Sequence, residues 1–251
     1  MANIAPSSST IDILMATYNG GKYLSEQFDS IVNQTYKDWK LIIHDDGSSD
    51  NTVYIIKQYM LRYPEKIILI DDDIYTGEAK NNFAYLMQFS SSEYITLCDQ
   101  DDVWLPHKIA TIISLLQKYD LVMSDAMIVD EVKHLLKDSF YKLNHSKRGF
   151  LNNLVHNSYI GCAMAFNRKI YERAMPIPKN IPMHDWWIGL IAEIFGSVVF
   201  ADDKLMYYRR HATNASQTSE KSKYSIFQKI SFRGIMVVYI VLRWIRQLIA
   251  R

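Results

Sequence analysis

An α/β fold with a mainly parallel sheet covered by helices on both faces follows from three features of the 251-residue sequence. Short apolar runs of strand length alternate with segments of helical period. The strands are apolar throughout rather than every second residue. Three of them end in acidic clusters. Strands buried on both faces belong to parallel sheets, and such sheets bind ligands beyond the carboxyl ends of their strands.

The elements follow in order. Ile11–Ala16 is a buried strand that runs into Thr17-Tyr18-Asn19-Gly20-Gly21. Leu24, Phe28, Ile31 and Val32 give residues 23–34 a helical spacing. Trp39–His44 is the second strand, closed by Asp45-Asp46-Gly47-Ser48, and Asp50 caps a helix reaching about Tyr63. Ile67–Ile70 is the third strand, followed by a helix over Glu78–Phe89. Tyr94–Cys98 is the fourth, closed by Asp99-Gln100-Asp101-Asp102. Pro106 opens a helix to about Tyr119, because proline suits a first helical turn, and Leu121–Ser124 is the fifth strand. Beyond residue 125 the periodicity weakens. Residues 131–150 read as a polar loop, Gly161–Phe166 as a strand and His184–Phe195 as a helix. Ser197–Ala201 and Leu205–Arg209 read as two further strands.

Composition narrows the function. Lys+Arg number 28 and Asp+Glu 27, with 49% hydrophobic residues, which excludes a disordered chain and gives no general attraction for nucleic acid. Seven of those cations and none of the acids lie after Glu220, so residues 1–220 carry 21 cations against 27 acids, a formal charge of −6. Cys98 and Cys162 read as free thiols of a reducing compartment. The polar N-terminus lacks a signal-peptide core and no run is long enough to span a bilayer, so a cytoplasmic protein is expected.

Four constellations can carry chemistry. Asp99 and Asp101 leave a strand one residue apart, where both can reach a divalent cation shared with substrate phosphates. The plainer alternative is an acidic turn, although Asp102 alone suffices to cap the next helix. Asp46 sits at a strand end where a carboxylate can accept a base N–H or a ribose hydroxyl, or simply belong to a turn. Asp185, in His184-Asp185-Trp186-Trp187, is either a first-turn acid or a general base beside aromatic walls. Tyr208-Arg209-Arg210-His211 offers a guanidinium for phosphate and an imidazole for a metal, or a basic strand end balancing the acidic cleft. The chain has no G-x-G-x-x-G and no P-loop, which argues against dinucleotide enzymes and P-loop NTPases.

Taken in order, Ala16-Thr17-Tyr18-Asn19-Gly20, Gln34-Thr35-Tyr36, Asp45-Asp46-Gly47-Ser48-Ser49-Asp50, Asp99-Gln100-Asp101-Asp102-Val103-Trp104, His184-Asp185-Trp186-Trp187 and Tyr208-Arg209-Arg210-His211 resemble the family 2 glycosyltransferases of bacterial polysaccharide synthesis. The likeness spans about residues 11–216 and is nearest to the rhamnosyltransferase-type enzymes of streptococcal cell-wall and capsule assembly. It implies a GT-A fold, with a Rossmann-like sheet, and inverting transfer from a nucleoside-diphosphate sugar, dTDP-rhamnose or a UDP-hexose, with Mn²⁺ or Mg²⁺. The acceptor implied is a saccharide hydroxyl, lipid-linked. By the same resemblance Asp46 reads the pyrimidine, Thr17 and Tyr18 line the first strand end, and Asp99 and Asp101 form the DXD motif. Asp101 contacts the metal, and Asp99 the ribose or the same ion. Asp185 is the catalytic base, Arg209 and His211 lie near the diphosphate, with His211 a metal ligand, and Lys80 and Asn82 line the donor site. A nucleotidyltransferase, or a non-catalytic nucleotide-sugar-binding protein of this fold, is the rival reading.

These assignments divide the chain into a catalytic domain over 1–220 and a basic helix over 221–251. Within the domain, a nucleotide half covers about 11–125 and an acceptor half about 126–220. In the helix Phe227, Ile230, Gly234, Val237, Val241, Trp244 and Leu248 recur at spacings of three and four, and Lys229, Arg233, Arg243 and Arg246 surround them. The expectation is peripheral contact with the inner face of the membrane through 224–251, with packing against the body or a homodimer as the alternative.

Overall fold

The computed structural model describes residues 10–211 and 225–249. Four parallel strands form one half of a nine-stranded sheet: β1 (Ile11–Thr17), β2 (Trp39–Asp45), β3 (Ile67–Ile70) and β4 (Tyr94–Cys98), in the order β3-β2-β1-β4. Their connections are α1 (Leu24–Val32), α2 (Thr52–Arg62) and α3 (Ala79–Leu86). Ile11, Ile13, Leu14 and Met15 are all buried, because helices cover both faces, and this is why the strands read as continuous apolar runs.

The second half continues the same sheet with mixed directions. Antiparallel to β4 lies β8 (Met164–Asn167), followed by β6 (Leu121–Val129), β9 (Val198–Arg209) and the two-residue β5 (Val103–Trp104), with β7 (Leu135–Lys137) paired to β6. The expected end of a strand at Ser124 is overturned here. Asp125 is a buried acid inside β6, not a turn, because Ser139 Oγ (2.6 Å), Tyr141 N (3.0 Å) and Ala126 N (2.8 Å) all donate to it. With its hydrogen bonds made, a carboxylate need not break a strand. The soft boundary at residue 125 therefore falls inside one strand of one sheet. The two strands expected over 197–209 are likewise a single strand, β9, whose register against β6 shifts beside Asp125.

Residues 131–150 are not only loop. They hold β7, α5 (Phe140–Asn144) and the start of α6 (Phe150–Val155). A short helix, α7 (Arg168–Ala174), follows β8 and is capped by the Asn167 side chain, which accepts the Ile170 N–H at 3.2 Å. The helix after Pro106, α4, runs over Lys108–Leu116, and α8 spans His184–Phe195, as the apolar spacing predicts.

The last helix, α9 (Ile226–Ile249), lies on the body. Met236 and Ile240 are buried, and Tyr239 meets Trp187 of α8 edge-on at 6.3 Å. Arg233 donates to the Leu154 (3.0 Å) and Val155 (2.6 Å) carbonyls at the end of α6. Arg243 donates to the Met175 carbonyl and to Pro176 O (2.5 Å), just past α7. Cations suit helix C-termini, where the last carbonyls lack partners. Two of the cations expected to flank a lipid-facing stripe thus face the protein, while Phe227, Ile230, Val241 and Trp244 of the stripe are exposed.

Candidate active site

The ends of β1 and β2 form a laced turn. Thr17 is buried and its hydroxyl donates to Asp45 Oδ1 (2.8 Å). Asp45 also accepts Ser48 N (2.7 Å) and Ser48 Oγ (2.6 Å), so it belongs to the turn. Asp46 is the outward carboxylate. Its N–H donates to Thr17 O (2.9 Å), and its side chain accepts the Thr76 N–H and the Thr76 hydroxyl (3.1 Å). Gly47 has φ +82°, and a Cβ there would lie 2.9 Å from the Tyr75 ring, so glycine is required twice over. Tyr18 is exposed, and its backbone is tied to a side chain of the DXD segment. Its N–H donates to Gln100 Oε1, and Gln100 Nε2 donates to its carbonyl, both at 2.9 Å. The middle residue of Asp99-Gln100-Asp101 therefore stitches the end of β4 to that of β1.

Beyond β4 the acids crowd together. Asp101 is 9% exposed, and its Oδ2 lies 2.6 Å from Nε2 of His211, whose ring stacks on Tyr23 at 4.8 Å. Burial, then the neighbouring Asp101 charge, pushes the Asp99 carboxyl up to about 7. Asp102 is fully buried, and burial followed by the charges of Asp101 and Asp99 pushes its carboxyl well above the usual range. Its Oδ1 accepts the Arg209 N–H (3.1 Å), while its Oδ2 meets no partner among the described residues. It caps no helix, so the plainer alternative of a capping acid does not apply to it. Beneath this cluster lies Lys108, fully buried, donating to Cys162 O (2.9 Å) and Met206 Sδ (3.2 Å), with its amine pushed down by burial.

Can these residues hold a divalent cation? Carboxylate oxygens with one imidazole nitrogen suit Mn²⁺ or Mg²⁺. Asp101 Oδ2 and His211 Nε2, 2.6 Å apart, are a donor pair of the kind such ions take, and the raised Asp99 carboxyl and the unpartnered Asp102 oxygen lie in the same acidic cluster. The residues therefore fit such an ion. Among the described residues, the three potential ligands whose atoms lie within 4.8 Å of one another are Asp99, Asp102 and the thiol of Cys162, deeper in the protein. The thiol and the buried acid Asp102, pushed toward the neutral form, suit a hard cation less well than Asp101 and His211 do.

Asp185 is the second residue of α8. Its Oδ2 accepts the Gly161 N–H (3.1 Å) and its Oδ1 the Trp186 N–H (2.6 Å), and burial raises its carboxyl to about 6. The two tryptophans are no sugar platform. Trp187 is core and donates to Ala174 O (2.9 Å), and half-buried Trp186 donates to Asn153 O (2.6 Å). His184 is buried against Phe83 with both ring nitrogens unpartnered among the described residues, and burial lowers it to about 3, so it is neutral.

A family model for glycosyl transferase family 2 matches residues 12–174, the span that carries Asp46, Asp99 and Asp101. The chain belongs to glycosyl transferase family 2. It is 28% identical over 223 residues to the dTDP-rhamnosyl transferase RfbG of Shigella flexneri, covering 84% of this chain and 76% of that one. It is 27% identical over 228 residues to an uncharacterized glycosyltransferase, alr2836, of Nostoc, covering 84% and 69%. Among solved structures, Staphylococcus aureus TarS 1–349 in complex with UDP-GlcNAc superposes with a TM-score of 0.71 at 13% identity, covering 91% of this chain and 66% of that one. The mannosyltransferase PcManGT of Pyrobaculum calidifontis, in complex with GDP-Man and Mn²⁺, gives 0.63 at 16%, covering 81% and 57%. The chain thus spans two thirds or less of these solved chains. The GT-A architecture expected from the sequence is present.

Within this family 2 fold two expected donor-site residues, Asn82 and Arg209, are buried, whereas Lys80 lines a surface cavity with Thr76, the partner of Asp46. Asn82 is buried beneath β2, where its Oδ1 lies 2.8 Å from His44 Nδ1, so it faces the core rather than the cleft. Arg209 is 2% exposed. It donates to Asp101 O (2.8 Å), Glu131 O (2.5 Å) and the Glu26 carboxylate, and lies over the Tyr23 ring, so it braces Asp101 from behind. Lys80 donates to Ile181 O (3.2 Å), joining α3 to the segment that leads into α8. Sequence reasoning missed Gln100, Gly161 and Lys108. Only the first had a signal, its place between the two acids of the motif.

Proposed function

We propose that the protein transfers a sugar from a nucleoside-diphosphate sugar to an acceptor hydroxyl with inversion at the anomeric carbon. The observation that carries this reading is that the buried carboxylate of Asp185 at the start of α8 lies near enough to Asp99 for its charge to add to burial and Asp101 in raising that carboxyl, beside the Asp101–His211 contact. Asp46 binds the base edge, since a carboxylate that accepts from Thr76 still has lone pairs for a ring N–H. Asp101 and His211, with Asp99, hold the divalent ion. Such an ion neutralises charge on the departing diphosphate. Asp185 takes the proton of the acceptor hydroxyl as its oxygen attacks the anomeric carbon, and the electron pair of the breaking bond leaves with the nucleoside diphosphate. Gly161 and the α8 N-terminus fix the orientation of Asp185.

The donor proposed is dTDP-rhamnose or a UDP-hexose, a choice supported by the likeness to a dTDP-rhamnosyl transferase. The acceptor proposed is a growing, lipid-linked cell-surface polysaccharide. The test is product analysis with dTDP- and UDP-sugars, Mn²⁺ and a lipid-linked saccharide. Release of nucleoside diphosphate with an inverted glycosidic linkage is the expected result. Release of pyrophosphate would instead identify a nucleotidyltransferase.

A further inference from the structure

The helix α9 has two unlike sides. One side, Met236, Ile240, Tyr239 and the two arginines Arg233 and Arg243, is fastened to α6, to the end of α7 and to α8. The other side carries Phe227 (86% exposed), Ile230 (63%), Val238 (58%), Val241, Trp244 (54%) and Ile245, with no charged residue among them. A Cβ added at Gly234, in the middle of that side, would meet nothing within 4 Å. A face of this size, apolar and uncovered, marks a binding surface. No helix among the described residues is long and apolar enough to cross a membrane.

We infer that this outer face of α9 lies in the surface of an anionic lipid bilayer. Charge decides between lipid and a second copy of the chain. Residues 225–249 contain Lys229, Arg233, Arg243 and Arg246 and no acid, and the whole stretch after Glu220 is free of acids. Arg233 and Arg243 are turned to carbonyls of the body, but Lys221, Lys223, Lys229, Arg246 and Arg251 remain with no acid among them, so two copies packed through this stretch would bring like charge to like charge, whereas paired helices normally match Glu with Lys at their flanks. An anionic headgroup layer complements the cations, and Trp and Phe suit its boundary. The formal charge of −6 on residues 1–220 is repelled by the same surface, which favours approach by the tail. Because Tyr239 packs on Trp187, two residues after Asp185, the face in the lipid and the carboxylate of the cleft are held by one packed unit. The inference rests on α9 alone and not on the proposed transfer reaction.

The test uses the full chain and vesicles of phosphatidylcholine, either pure or mixed equally with phosphatidylglycerol. Flotation and the emission of exposed Trp244 report binding. The wild type should float with the anionic vesicles and shift its emission to the blue. Its partition to pure phosphatidylcholine should be at least about tenfold weaker. The double variant Val238→Glu/Val241→Glu should lose at least about tenfold of the anionic partition, because both positions face outward and charges there must enter the lipid boundary. An unchanged melting temperature in the variant shows that the fold is intact. Wild type that stays in the aqueous phase with both vesicles overturns the inference, and so does equal flotation of the double variant. A dimer seen by light scattering that falls apart in the variant, without vesicle binding, would give the face to a second copy. Nucleotide binding, measured on the same samples, reports separately on the donor site.

Discussion

The turn that follows β2, tied to the end of β1, and the acidic end of β4 are joined through Tyr18 and Gln100, but they are built in opposite ways. At the turn, Thr17, Asp45, Asp46 and Ser48 satisfy one another, and its shape is complete. At β4 and α8, like charges are gathered in the dry, with Asp99 near 7, Asp102 leaving an oxygen unmatched and His184 leaving two nitrogens. A satisfied cradle holds its shape for a rigid group such as a base. A frustrated cluster is stable only in proportion to what binds it. Under the proposed function, the first region would select the nucleotide and the second would act on it.

The largest break in that contrast is expected at Asp185. Asp185→Asn should lower turnover about 10²–10⁴-fold while donor binding stays within about twofold, read by kinetics and calorimetry on the same sample. In the wild type the base must be ionised to work. Its carboxyl is raised to about 6, so kcat should rise with pH through about 6 and level off above it. A flat profile would deny it the role of base.

Next comes Asp101→Asn, which should remove the Mn²⁺ dependence of nucleotide binding and weaken that binding about 10–100-fold in the presence of the ion. Arg209→Lys sharpens the comparison from behind. If Arg209 braces Asp101, Glu26 and Glu131, replacing it breaks a buried network worth about 3–5 kcal/mol. The melting temperature should then fall by roughly 6–20 °C in a chain of this size. A loss of donor affinity with an unchanged melting temperature would return Arg209 to the diphosphate. The smallest effect belongs to Gln100→Leu. It removes the two hydrogen bonds to Tyr18, for about 1–3 kcal/mol of stability, and should raise the donor KM severalfold by loosening the cradle.

The parallel half was legible in the sequence because each element there signals itself locally. Apolar runs mark β1 to β4, and Pro106 sits just ahead of α4. The second half was harder because its signals are long-range. Asp125 reads as a strand end until Ser139, fourteen residues on, is seen donating to it. The Asn167 cap of α7 was visible in principle but short. At the candidate site, the motif residues stand in recognisable order, whereas their supports do not. Arg209 looks like a phosphate ligand from its neighbours Arg210 and His211, and only the fold reveals Glu26 beside it, 183 positions away. Asn82 likewise looks polar and available until His44 is found against it.

The most direct test of the account is a calorimetric titration of the protein with UDP, dTDP, GDP and CMP, with and without Mn²⁺. The account predicts that UDP or dTDP binds, that Mn²⁺ strengthens the binding, and that Asp101→Asn abolishes that gain. A folded protein that binds none of the four with the metal present would contradict it.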